Sequence, residues 1–220
     1  MRPTLGSVSS PFDQSSYQVR LDWGLEGLRR LAPADVYVVV DVIRFASNAA
    51  ATVAEGGEVV VAESRCPNGG AISRELAELP PREDGERPLV LAAALRNASA
   101  VARAIKAEQE RRSARTSIAV IAAGERTPEG DLRFAVEDHL GAGAVIDALT
   151  PLGIDHSSPE AVAAAESFAA LRRAVKHLLT ASGSGRELEG DPRHEQVRAA
   201  AKVDDLDAVP VLRDGVYRAL

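Results

Sequence analysis

The amino-acid sequence predicts an α/β protein, a three-layer sandwich on a mainly parallel or mixed sheet, and three observations predict it. First, the runs VYVVVD, PLVLAAAL and TSIAVIAAG are apolar without alternation, as strands covered on both faces are. Second, segments with helical spacing separate these runs, and strands alternating with helices imply βαβ units. Third, 220 residues allow one sizeable core. Residues 1–15 read as a flexible leader rich in Ser and Pro, and residues 16–220 as a single domain.

In chain order, Ser16–Trp23 sets Tyr17, Val19, Leu21 and Trp23 against Gln18, Arg20 and Asp22, the period-two signature of a half-buried strand. A short helix, GLEGLRRLA, stops at Pro33, and Val36–Asp41 is the first covered strand. ASNAAATVAEGG is a helix closed by Gly56 or Gly57, and EVVVAE the next strand. GGAISRELAEL is helical and PLVLAAAL a buried strand. Asn97 is suited to cap the helix NASAVARAIKAEQERR, which keeps Ala98, Val101, Ala102 and Ile105 on one face. TSIAVIAAG is another buried strand. In VEDHLGAGAVIDAL, Val136, Leu140 and Ala144 form a narrow apolar stripe, and Gly141 and Gly143 permit close packing on a neighbour. Ser157 or Ser158 caps a long alanine-rich helix, Ala161–Thr180, with Pro159 in its first turn. SGSGREL reads as a glycine loop, HEQVRAAAKV as a short helix, and AVPVLRDGVY as a closing strand and turn.

Composition excludes several classes of function. No apolar run approaches the roughly 20 residues needed to span a bilayer, so no membrane partner is expected. The opening MRPTLGSVSSPFDQ lacks the apolar core of a signal peptide, which points to the cytoplasm. The single cysteine, Cys66, excludes an internal disulfide and, with four scattered histidines, argues against a Cys/His zinc site. A net charge of −6 argues against nucleic acid as a partner. Lysine occurs only at Lys106, Lys176 and Lys202, against 23 arginines, a bias that fits a GC-rich genome. Any single arginine is therefore weak evidence for anion binding.

Ligands of open α/β sheets collect outside the carboxyl ends of the strands. Four such ends carry polar residues: Asp41-Val-Ile-Arg44, the loop CPNGG (Cys66–Gly70), the pair Arg96–Asn97, and the segment from Ala123 to Asp138. Each has a plain structural reading as well. Asp41 serves equally as a strand-end charge, Asn68 as a turn former, Asn97 as a helix cap, and Glu137 and Asp138 as acids that offset a helix dipole. Familiar devices are absent: no G-x-G-x-x-G, no G-x-x-x-x-G-K-[ST], no serine nucleophile elbow. Arg74 lies too far from Cys66 for a C-x5-R phosphate cradle. DVIRF lacks the second aspartate of haloacid-dehalogenase phosphatases. The remaining set, Asp41, Glu125, Glu137 and Asp138, offers hard oxygens of the kind Mg²⁺ takes. Arg44, Arg96 or Arg186 would grip oxyanions beside it, and the glycines Gly69 and Gly70 leave amides to meet an anion at a helix start. Mg²⁺ with arginines is the usual answer to phosphoryl transfer.

Read together, VVVDVIRFASNAAATVAEGGEVV, CPNGG, LRNASAVARAI, IAVIAAGERTPEGDLRFAVEDHLGAGAVIDAL, SPEA and SGRELEG…AVPVLRDGVY resemble the 2-phosphosulfolactate phosphatase (ComB-like) family, from about Tyr17 to the C-terminus. The AGE…AVEDHLGAGAVI block is the most specific part. The resemblance implies a ComB-like fold and a phosphoric monoester hydrolase that uses Mg²⁺ on a small anionic phosphate ester. It places Asp41, Glu137 and Asp138 as catalytic and metal-binding residues. Substrate binding falls to Arg44, Asn68, Gly69, Gly70, Asn97, Glu125 and Arg186. Full-length relatives carry a long segment before the NG loop, whereas here only Ser64 and Arg65 separate Glu63 from CPNGG. That departure motivates a second reading, a catalytically impaired ComB-fold protein that binds a small anion or serves as an assembly partner. The apolar, small-residue helices point to a homodimer.

Overall fold

The computed structural model describes residues 10–82 and 85–220. The first nine residues of the expected leader lie outside the described residues. Its remainder is folded: Pro11–Asp13 forms one 3₁₀ turn capped by Ser10. The Gln14 amide then donates to the Leu21 carbonyl (2.9 Å) and accepts from the Leu21 N–H (3.1 Å). This side chain stands in for a neighbouring strand at the sheet edge.

Among the described residues nine strands and nine α-helices follow, in the order β1 (Val19–Trp23), α1 (Gly24–Arg30), β2 (Val36–Val40), α2 (Phe45–Ala54), β3 (Val59–Val60), α3 (Gly69–Ala77), β4 (Leu89–Ala93), α4 (Ala98–Arg112) and β5 (Ile118–Ala122). The chain continues with β6 (Glu125–Arg126), β7 (Leu132–Arg133), α5 (Val136–Leu149), α6 (Pro159–Leu171), α7 (Val175–Ala181), α8 (Gly183–Glu187), α9 (His194–Ala200), β8 (Pro210–Arg213) and β9 (Val216–Ala219). The main sheet runs β1-β5-β2-β4-β8-β9-β3, and β6 and β7 form a separate hairpin. The β1, β5, β2 and β4 pairings are parallel, whereas β4–β8, β8–β9 and β9–β3 are antiparallel. The sheet is thus mixed, the second of the two forms the sequence allowed. Helices α1, α2 and α3 pack with one another, as do α4, α5 and α6, and both groups contact the sheet. All five residues of β2 are buried, as a strand covered on both faces requires.

Five local expectations change. Arg20 alternates toward the polar face of β1 but is buried, because its guanidinium donates to the carbonyls of Tyr17 (3.0 Å), Ala32 (2.9 Å) and Pro33 (3.2 Å). The run EVVVAE pairs over only two residues before a 3₁₀ turn at Val61–Glu63. The long helix Ala161–Thr180 is interrupted by a 3₁₀ turn at Arg172–Ala174, and the SGSGREL loop is the short helix α8, capped by Ser182. The closing strand and turn is a full hairpin whose two-residue loop, Asp214-Gly215, has φ of 49° and 74°, the left-handed geometry of a type I′ turn.

The glycines of α5 are used inside the chain. A β-carbon on Gly141 would strike Val42 and Val40, and one on Gly143 would strike the Ala164 carbonyl of α6. The small-residue stripe that suggested a dimer is therefore a packing surface between α5, β2 and α6. Among the described residues no helix is long and apolar enough to cross a membrane.

Candidate functional site

β2 delivers its charge to the carboxyl end of the sheet. Asp41 follows the last paired residue and is 3% exposed. Its Oδ1 accepts the Phe45 N–H at 3.0 Å. Its Oδ2 accepts the Gly69 N–H at 3.0 Å and the Cys66 thiol at 3.3 Å. These contacts draw the CPNGG loop and the first turn of α3 onto the strand end. Gly69 is needed there: a β-carbon would stand 2.7 Å from Asp41 Oδ2 and 2.8 Å from Asp41 Cβ. At its middle α3 is tied to the sheet by Ser73 Oγ and Tyr217 Oη, 2.9 Å apart and buried.

Burial pushes the Asp41 carboxyl above its ordinary range, with the charge of Glu125 adding to it; the bonds from Phe45, Cys66 and Gly69 act the other way. Burial first, and then the Asp41 charge, push the Cys66 thiol up to about 12. The thiol therefore stays protonated and donates to Asp41, which excludes it as a thiolate nucleophile.

A cavity of about 790 Å³ opens at this strand end, lined among others by Asp41, Arg44, Arg65, Cys66, Asn68, Glu125, Ser184 and Arg193. Glu125 reaches it from the turn after β5. There its Oε1 accepts from Asn68 Nδ2 at 3.0 Å, and Ser184 Oγ lies 3.5 Å from its Oε2. Arg44 Nη1 donates to Gln196 (2.9 Å), and Arg193 is paired with Asp191 at 2.7 Å. Arg65 is exposed and makes no hydrogen bond or ion pair among the described residues.

The structure thus brings Asp41, Arg44, Asn68 and Glu125 together and leaves the other expected residues elsewhere. Asp41, Glu137 and Asp138 do not converge on one cavity. Asp138, in the first turn of α5, accepts the Val42 N–H (2.7 Å) on Oδ1 and the Gly124 N–H (2.9 Å) on Oδ2. It ties the ends of β2 and β5 together, and burial, with the charges of Asp41 and Glu137, pushes its carboxyl well above the ordinary range. Glu137 is 3% exposed and does not line the cavity. Among the described residues no group of three or more His, Cys, Asp or Glu side chains is arranged to hold a metal ion. The Gly69 amide is engaged by Asp41, and neither Gly69 nor Gly70 lines the cavity.

Asn97 is a structural residue rather than a substrate ligand or the side-chain cap of α4. Fully buried, its Oδ1 accepts the Ala94 N–H (2.9 Å), and its Nδ2 donates to the carbonyls of Ala208 (3.0 Å) and Ala92 (3.3 Å). Asn97→Ala takes the side-chain acceptor from the buried Ala94 N–H and the side-chain donor from the Ala92 and Ala208 carbonyls. It is expected to destabilise the chain by about 3 kcal/mol in urea unfolding while leaving the Michaelis constant unchanged. Arg96 is held by Asp205 through two bonds of 2.8 Å. Arg186 is exposed and faces a different cavity: the turn of α8 directs Ser184 and Glu187 into the first and Arg186 into the second.

The family model described as 2-phosphosulpholactate phosphatase matches residues 82–215. The chain belongs to this family. No curated protein matches it. The family match takes in Glu125, Ser184 and Arg193 of the cavity and the buried residues Asn97, Glu137 and Asp138; Asp41 and the CPNGG loop precede it. The segment matched to the 2-phosphosulpholactate phosphatase family runs from before β4 through β8, and the end of β2, α2, β3 and the loop up to Asn68 complete the cavity.

Several cavity residues escape sequence reasoning, among them Arg65, Ser184 and Arg193. Arg65 adjoins the loop motif and was readable as part of it. Ser184 lay in a run read as loop. Arg193 carries no signal among 23 arginines.

Proposed function

We propose that this chain hydrolyses a small anionic phosphate monoester, in the manner of a 2-phosphosulpholactate phosphatase, with Mg²⁺ as its cofactor. One observation carries the reading: Asp41, just past the end of β2, and Glu125, three residues past the end of β5, share a cavity with Arg44, Arg65 and Arg193, whose wall also holds Glu58, Glu63 and Glu187. A cavity of about 790 Å³ suits a small ligand.

The donor set fits Mg²⁺, which is bound through one or two carboxylates and keeps waters and substrate oxygens as its other ligands. Asp41 and Glu125 repel each other, since the charge of Glu125 raises the Asp41 carboxyl, and a divalent cation relieves that repulsion. These two residues would hold the ion. When bound, Mg²⁺ supplies neutralisation of the charge that spreads over the phosphoryl oxygens during transfer.

The chain's own groups do the rest. Phe45, Gly69 and Cys66 fix the orientation of Asp41, and Asn68 fixes Glu125. Arg65, with no partner of its own among the described residues, binds the ester's oxyanion through its planar fork of donors. Arg44 and Arg193 add positive charge at the rim and bind a second anionic group of the substrate. Water attacks phosphorus as the bond to the ester oxygen breaks, giving an alcohol and inorganic phosphate.

The test is release of inorganic phosphate from a panel of small phosphate monoesters with Mg²⁺, and again after chelation with EDTA. The expected result is turnover that chelation abolishes and added Mg²⁺ restores. Absence of Mg²⁺-dependent turnover across the panel overturns the enzyme reading. A second reading, anion binding without turnover, is favoured by one observation: both oxygens of Asp41 already accept protein hydrogen bonds. Under that reading esters bind in calorimetry but release no phosphate.

A further inference from the structure

A second cavity, of about 770 Å³, is lined by Lys176, His177, Thr180, Ala181, Arg186, Glu189, His194 and Arg198. Its basic groups come from three helices: Lys176 and His177 from α7, Arg186 from α8, His194 and Arg198 from α9. Three permanent cations face one carboxylate, so the lining is positive by two even with both histidines neutral, in a chain whose net charge is −6. Arg198 shares its charge with Glu195 at 3.1 Å, in an exposed pair worth little in water. Lys176 and Arg186 have no ion-pair or hydrogen-bond partner among the described residues. His194 Nδ1 is shielded from solvent and has no partner among them either.

We propose that this cavity is a binding site for a small, multiply charged phosphate compound, separate from the Asp41 cavity. Concave geometry focuses the field of like-charged side chains and concentrates counter-anions. Arg186 and Arg198 offer forked donors and Lys176 a mobile point charge. A long nucleic acid is disfavoured because the positive groups line a hollow rather than a stripe and the rest of the molecule is acidic.

The test is calorimetric titration of the full chain with sodium pyrophosphate in metal-free buffer. Three proteins are compared: the natural sequence, the triple variant K176A/R186A/R198A, and Arg65→Ala in the Asp41 cavity. The altered positions are exposed, so each variant is expected to keep the natural thermal midpoint. Pyrophosphate is expected to bind the natural chain and the Arg65→Ala chain equally at this site, and the triple variant at least tenfold more weakly. Ring-proton NMR signals of His177 and His194 are expected to move on titration of the natural chain, a readout that needs no variant. The proposal is overturned by three outcomes: no pyrophosphate binding, binding unchanged in the triple variant, or binding lost in Arg65→Ala with the two histidine signals static. Binding and histidine shifts in a chain without phosphatase activity leave this site standing while the enzyme reading fails.

Discussion

Asp41→Asn is expected to lower Mg²⁺-dependent phosphate release by about a hundredfold to a thousandfold, the loss that follows removal of a single electrostatic group from a transition-state site. The substitution keeps the size of the side chain and one carbonyl-type acceptor. It removes one of the two negative charges proposed to hold a cation. It also sets an NH₂ group against donors, because Phe45 N–H faces one carboxylate oxygen while Gly69 N–H and the Cys66 thiol face the other. Loss of one buried bond costs roughly 1–3 kcal/mol, so the melting temperature is expected to fall but the fold to persist. The decisive comparison is with Glu125→Gln, which disturbs no backbone contact of the CPNGG loop. If the two carboxylates share one ion, both variants raise the Mg²⁺ concentration needed for half-maximal rate. Should Asp41→Asn retain natural turnover at saturating Mg²⁺, Asp41 is a strand-end residue and nothing more.

Particular residues show why some of this was legible in the sequence and some was not. The uninterrupted apolar runs that became β2, β4 and β5 announced a covered sheet, since burial on both faces leaves no room for alternation. Asp41 was readable as the residue at the mouth because a charge that ends such a run has only the strand's carboxyl end to occupy. Asn97 and Asp138 were misread for a shared reason. Polar residues at strand ends are needed both for ligands and for orphan amides, and sequence does not say which. Here Asp138 takes the amides of Val42 and Gly124, and Asn97 the backbone of Ala92, Ala94 and Ala208. Arg186 was misplaced because five residues of α8 were read as an open loop; once helical, that turn directs neighbouring side chains into two different cavities. The mixed sheet was legible from the Asp214-Gly215 pair flanked by apolar residues, a hairpin signal that reverses direction where a crossover helix would not.

Asp138→Ala is expected to destabilise the chain by about 2–4 kcal/mol. Its carboxylate ties α5 to the two strand ends that frame the cavity, through Val42 N–H at 2.7 Å and Gly124 N–H at 2.9 Å. Truncation leaves both buried donors unpaired, at roughly 1–3 kcal/mol each. Relief of a buried charge offsets part of that cost. The pH dependence separates the two contributions. Burial raises the folded carboxyl well above its ordinary value of 3.8, so the folded state holds its proton to higher pH than the unfolded state does. The group's contribution is therefore whole below the unfolded value and declines as pH rises from there through the folded value. The natural chain's advantage over Asp138→Ala is accordingly expected to be larger at acid pH than at neutral pH, measured as the difference in urea-unfolding free energy across that range. An advantage that grows with pH would mean a carboxylate stabilised in its charged form, and Asp138 would then be an ion ligand after all.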